Sequence, residues 1–123
     1  MGSFNYGKIR TMGAVLVAIS IPIFSSQLEK SREAVDLANI RAAYAECMTA
    51  HLTDDDTAYY KEVEAKQNTA GWTIDASDVA GLNVGNDNVG KTMKVGTNIF
   101  VCVTADGTFS LAASAPQNST ALN

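Results

Sequence analysis

From Ser25 to Leu52 the sequence holds neither glycine nor proline. Gln27, Leu28, Glu29, Lys30, Arg32, Glu33, Ala34, Ala42, Ala43, Ala45 and Glu46 are strong helix formers, so the stretch predicts one uninterrupted helix. Leu37, Ile40, Tyr44, Cys47, Met48 and His51 recur at steps of three and four and draw one stripe along its second half, a face for covering a domain. Traced backwards, the stripe meets Glu33 and Lys30. Residues 25–33 are therefore expected to form a charged neck between that domain and whatever precedes it.

What precedes it is apolar. Met12 to Phe24 reads MGAVLVAISIPIF, thirteen residues or about 20 Å of helix, too short to cross roughly 30 Å of hydrocarbon alone. Lys8 and Arg10 before it are compatible with a secretory signal, but Ile23 and Phe24 stand where a small-residue cleavage site belongs. Pro22 removes one helical hydrogen bond and predicts a kink or a local break. A helix taking in both stretches has about forty residues, against a usual mean of about 11 to 12, and one small domain cannot cover it. Residues 1–12 lack apolar periodicity and are expected to be a tag or a replaced segment.

At 123 residues the chain suits one domain, and 18% charged with 46% hydrophobic residues is a globular balance. The net charge of −4, with basic residues scattered from Lys8 to Lys94, gives no basic patch for nucleic acid.

The run Ala14-Val-Leu-Val-Ala-Ile-Ser-Ile-Pro-Ile-Phe24, followed directly by the amphipathic stretch Ser25 to Glu46, resembles the second half of the type IV pilin helix, in particular that of Gram-positive pilins. The match covers about 33 residues. The resemblance implies an α+β fold in which a long N-terminal helix packs against a small antiparallel sheet, with residues 13–52 as the helix and 53–123 as the head. It implies no enzyme but a structural subunit of a cell-surface filament serving adhesion, motility or DNA uptake. Minor pilins and type II secretion pseudopilins are alternatives within the same likeness. The implied partners are other pilin subunits, the assembly machinery and the membrane before assembly. The implied assembly residues are Val15, Leu16, Val17, Ile19, Ile21, Pro22, Ile23, Phe24 and Leu28, and Leu37, Ile40, Tyr44, Cys47 and Met48 would carry the head. The pilin processing signal, Gly-Phe-Thr-Leu-x-Glu, is not reproduced: Ala14 stands where the Phe is usual and Ala18 where the Glu would be. The expectation is a head whose natural membrane-spanning N-terminal half has been removed.

Asp54, Asp55 and Asp56 end the helix. Ala58 to Gln67 holds helix formers but also alternates, with Lys61, Val63, Ala65 and Gln67 on one side, and this predicts a strand. Asn68 to Gly90 reads as a long loop anchored by Trp72, Val79 and Leu82. Strands are expected at Lys91–Val95 and Asn98–Thr104. Asp106-Gly107 predicts a two-residue turn into Thr108–Ala112, completing an antiparallel meander before a disordered tail from Ser114.

Gly85 to Thr92 satisfies G-x-x-x-x-G-K-[ST], a phosphate-cradling pattern and the basis of a nucleotide-binding alternative. Its context is that of a loop, since no helix can begin at Lys91 and break at Gly96. One histidine, His51, cannot make a histidine metal cluster, and the scattered Asp and Asn residues have no EF-hand spacing; no metal, cofactor or catalytic group is expected. Cys47 lies on the domain-facing stripe and a bridge to Cys102 is a candidate, but alternation puts Ile99, Val101 and Val103 on the core face and Cys102 with Phe100 on the other. Tyr44, Tyr59, Tyr60 and Trp72 read as packing residues.

Overall fold

Helix α1 spans Gly2–Thr53 and is continuous through Gly13 and Pro22, without the local break expected there. The structure, a computed structural model, describes residues 2–54 and 56–122, with side chains from Ser26 onward. The apolar side chains Val15, Leu16, Val17, Ile19, Ile21, Pro22, Ile23 and Phe24 lie outside that description. Among the described residues no helix is long and apolar enough to cross a membrane.

The second half of α1 has the stripe that its spacing predicts. Leu37 and Ala43 are nearly covered and Ile40 and Cys47 fully so, each turned toward a sheet. Burying one such Ile or Leu contributes about 1.5–3 kcal/mol.

The sheet has four strands, β1 (Tyr59–Val63), β2 (Ile99–Val103), β3 (Phe109–Ala112) and β4 (Thr120–Ala121), in the order β3-β2-β1-β4. β1, β2 and β3 pair antiparallel, with Lys61 opposite Val101 and Val101 opposite Leu111. β4 pairs parallel with β1, so the sheet is mixed and not the purely antiparallel one expected. The tail is correspondingly ordered: Thr120 N donates to Ala58 O and Leu122 N to Tyr60 O, both at 2.8 Å. Its polarity misled because an edge strand exposes both faces and is held by backbone bonds alone.

Period-two alternation sorts the sheet faces. Val63, Ile99, Val101, Val103 and Leu111 turn to α1, and the Phe109 ring meets that of Tyr44 at 4.7 Å between centroids. Tyr60, Phe100 and Cys102 share the outer face, where the Tyr60 and Phe100 rings meet edge-on at 5.8 Å.

Two local expectations fail. Lys91–Val95 is not a strand: Gly90–Thr92 is a turn of 3-10 helix, and only an isolated Lys94–Thr97 bridge follows, closed by Gly96 at φ +90°. The β2–β3 turn has three residues, 105–107, rather than two. Thr104 N bonds Thr108 O, and Gly107 takes the positive φ of +87° that such a turn requires.

The long segment between β1 and β2 completes the core with Ala76, Val79, Val84 and Met93, while Trp72 and Leu82 pack against its edge. Val79 and Leu82 exchange backbone bonds of 2.9 and 3.0 Å across Ala80 and Gly81, both at positive φ, which makes a hairpin turn inside the loop.

Candidate functional site

Beyond Val63 the chain continues extended but leaves the sheet, so its amides need other acceptors. The side chains still alternate, Ala65 and Gln67 buried and Glu64 and Lys66 exposed, as the sequence pattern predicts. Side-chain carbonyls and carboxylates replace the missing strand. Ala65 N donates to Asn98 Oδ1 at 3.0 Å, Lys66 N to Asp36 Oδ1 at 2.8 Å and Gln67 N to Asp36 Oδ2 at 3.0 Å. Asn68 N and Thr69 N both donate to Glu29 Oε1, at 2.8 and 3.1 Å. Farther on, Thr73 N and Ile74 N donate to Glu33 Oε1 at 2.5 and 3.2 Å, and Thr73 Oγ1 donates to Glu33 Oε2 at 2.7 Å.

Glu29, Glu33 and Asp36 thus form an acidic clasp on residues 66–74. Their spacing, i, i+4 and i+7, puts them on one face of α1 in line with Leu37 and Ile40. Residues 25–33 are therefore not a neck standing clear of the head: Glu33 is 2% exposed, Asp36 is 0% exposed, and the head reaches Glu29. In the sequence the carboxylates Glu29 and Glu33 interrupt the apolar stripe and so mark its apparent end. The available signal was their register with that stripe, opposite a segment too irregular to satisfy its own amides.

Burial raises the Asp36 carboxyl above the ordinary range, outweighing the amide bonds from Gln67 and Lys66 and the nearby Lys66 charge, while the Glu29 charge pushes the same way as burial. Gln67, fully buried, donates Nε2 to Thr69 O at 3.1 Å and Gly71 O at 2.8 Å, curling the clasped segment around itself. Arg32 pairs with Glu29 at 3.4 Å on the outer side.

The remaining candidates take other places. Tyr44 and Met48 are half-buried beside the core and Leu28 is 38% exposed. Cys47 and Cys102 are both free thiols, so the candidate bridge is not made. Cys47 Sγ donates to Val101 O at 3.9 Å from the helix side, while Cys102 Sγ donates to Phe100 O at 3.5 Å on the outer face. His51 is buried at the end of α1, with Nδ1 3.3 Å from Thr57 O and its ring beside Gly107.

In the Gly85–Thr92 stretch all amides but that of Asn88 are already taken. Gly85 N donates to Ala76 O, Val89 N and Gly90 N to Asp87 Oδ1 at 2.8 and 2.9 Å, Lys91 N to Asp87 O and Thr92 N to Val89 O. A phosphate cradle needs those groups turned outward. Gly90 serves instead as a close-packing point, because a Cβ there would lie 2.4 Å from Val84 O, and its own carbonyl accepts Trp72 Nε1 at 3.0 Å. Among the described residues no group of three His, Cys, Asp or Glu side chains converges as metal ligands would. No protein-family model, curated protein or solved structure matches this chain.

Proposed function

We propose that the chain is a structural subunit of a type IV pilus-like surface filament, in which the N-terminal part of α1 mediates assembly and residues 53–123 form the exposed head. The carrying observation is a disproportion of lengths. α1 has 52 residues, about 78 Å, whereas the strands laid on it have at most five. The clasp marks how far toward the N-terminus the described contacts of the head extend, at Glu29. The apolar sequence Ala14 to Phe24 lies immediately beyond that point, in the part of α1 that the resemblance assigns to filament packing and to membrane residence before assembly.

Helices in such a setting associate through close packing and shape rather than through water exclusion. The head's task is to hold the second half of α1 rigidly, and the clasp supports this by tying 66–74 to the helix where the sheet has ended. Immunogold microscopy of the source cells with antibody against residues 53–123 tests the reading. Labelling along surface filaments is the expected result, and labelling confined to the cytoplasm would reject it.

A further inference from the structure

The line of β4 stops while the sheet edge it covers continues. Thr120 N and Leu122 N donate to Ala58 O and Tyr60 O, so the even-numbered residues of β1 turn their backbone groups away from β2. Ala65 N, on the odd-numbered side, points back to Asn98, and Lys66 N is taken by Asp36 of α1. Between Leu122 and Asp36 stand the N–H and C=O groups of Glu62 and Glu64, which have no backbone partner among the described residues. This edge borders a groove of about 360 Å³ whose other wall is α1 at Asn39, Ala42, Ala43 and Glu46. The Lys61–Glu46 ion pair closes one end and Asp36, bonded to Lys66 N, closes the other. From Asp36 to Glu46 the helix runs about 15 Å, room for about four or five extended residues.

We infer that this edge receives an extended segment of a partner protein as an added strand, with an apolar side chain turned inward to Ala42 and Ala43 and a cationic side chain turned outward on either side of it. Unpaired edge groups are a template for such pairing, and the backbone bonds they make supply the affinity. Charge chooses the occupant. Tyr60, Glu62 and Glu64 share the outward side of the edge, and Glu62 is exposed and makes no ion pair among the described residues. The Lys66–Glu64 pair, 3.4 Å apart, is 50% and 72% exposed, so water leaves it weak and Glu64 is open to another cation. A strand with Lys or Arg opposite both carboxylates gains two charge pairs, two residues apart. A second copy offering the same edge in antiparallel pairing would instead bring Glu62 and Glu64 against the same two carboxylates. The pattern recognised is therefore cation, apolar, cation. The inference goes beyond the filament reading and does not depend on it.

Titrating the full isotope-labelled chain with the capped peptide Thr-Lys-Val-Lys-Thr tests it. At saturation, amide exchange at Glu62 and Glu64 should slow about fivefold or more, while Lys61 and Val63, already paired with β2, should keep their rates. The counterpart Thr-Glu-Val-Glu-Thr should bind about tenfold more weakly, and Glu62→Lys combined with Glu64→Lys, both at exposed positions, should reverse that preference. No protection at millimolar peptide, equal binding of the two peptides, or protection at Phe109 and Leu111 of the opposite edge in place of Glu62 and Glu64 would each overturn the inference. So would protection at Glu62 and Glu64 that grows with protein concentration in the absence of peptide, which would make the occupant a second copy. These readouts do not depend on whether cells display filaments, so either reading can fail without the other.

Discussion

Glu33 and Thr73 are joined twice: Thr73 N donates to Glu33 Oε1 at 2.5 Å and Thr73 Oγ1 to Oε2 at 2.7 Å, forty residues apart in sequence. With Ile74 N also on Oε1, one helix carboxylate satisfies three donors of a segment that has no strand beside it. Glu33→Ala removes the acceptor of donors on an exposed Thr73 and a half-buried Ile74, which water can partly replace, and should cost about 1–2 kcal/mol in urea unfolding. Glu33→Gln keeps one carbonyl acceptor and an amide that can face the threonine hydroxyl, so it should cost less. Equal loss in the two variants would mean that side-chain volume, not acceptance, holds the segment.

Asp36 makes stability depend on pH in a direction opposite to that of most carboxylates. Its pKa is raised above 3.8 by burial, so the folded state keeps a proton that the unfolded chain has begun to release. Stability contributed by this group is present below the unfolded value and falls as pH rises through the raised one. Comparison with Asp36→Asn isolates the effect: the difference wild type minus variant should shrink on raising the pH from about 3 through the raised value, then level off. The variant has a fixed offset of its own, about 1–3 kcal/mol, because its NH2 confronts one of two amide donors. A difference that grows over the same interval would reverse the assignment.

Gly90 is where the backbone packs most tightly. A Cβ would approach Val84 O to 2.4 Å and the side chains of Val84 and Leu111 to 3.0 and 3.2 Å, none of them the end of a long flexible chain. Gly90→Ala should therefore destabilise by about 2 kcal/mol or more. Trp72, bonded through Nε1 to Gly90 O, should report the shift as changed fluorescence in the folded protein. Unchanged emission and stability would remove Gly90 as a packing point.

The elements legible beforehand are those whose side chains decide them. The stripe Leu37, Ile40 and Cys47, the alternation Lys61 to Gln67 and the core face Ile99, Val101 and Val103 each follow from burial with the period of one element. What escaped was decided by backbone bonding. β4 exists because Ala58 O and Tyr60 O had unused acceptor capacity at an edge, and nothing in Thr120-Ala121 announces that. The clasp escaped for the same reason: its acceptors are helix carboxylates, but what they satisfy are amides thirty to forty residues away. At Lys91–Val95 β-forming side chains were outvoted by Gly90 and Gly96, which fix a turn on either side.

Thiol chemistry separates the two cysteines from surface groups. Burial, with the Cys102 and Glu46 charges adding to it, pushes the Cys47 thiol up to about 11, and Cys102 is raised by its own burial. Neither should react with a disulfide reagent in the folded protein near pH 8 within minutes, and both should react at once in concentrated urea. Immediate reaction of one equivalent without denaturant would show that the outer sheet face opens more readily than its packing implies.

Ala80 is strained where the loop makes its internal turn. It holds φ +52° beside Gly81 at φ +86°, the pair of positive angles for which Asn-Gly is the favoured sequence. Its side chain is exposed, so a replacement meets no packing constraint. Ala80→Asn should raise stability by about 0.5–1 kcal/mol, and Ala80→Gly should gain less because the freer residue also loosens the unfolded chain. Calorimetric melting of the three proteins gives the order Asn, Gly, Ala from most to least stable. Ala80→Asn melting below the parent would mean that Val79 and Leu82 are not paired through this turn in solution.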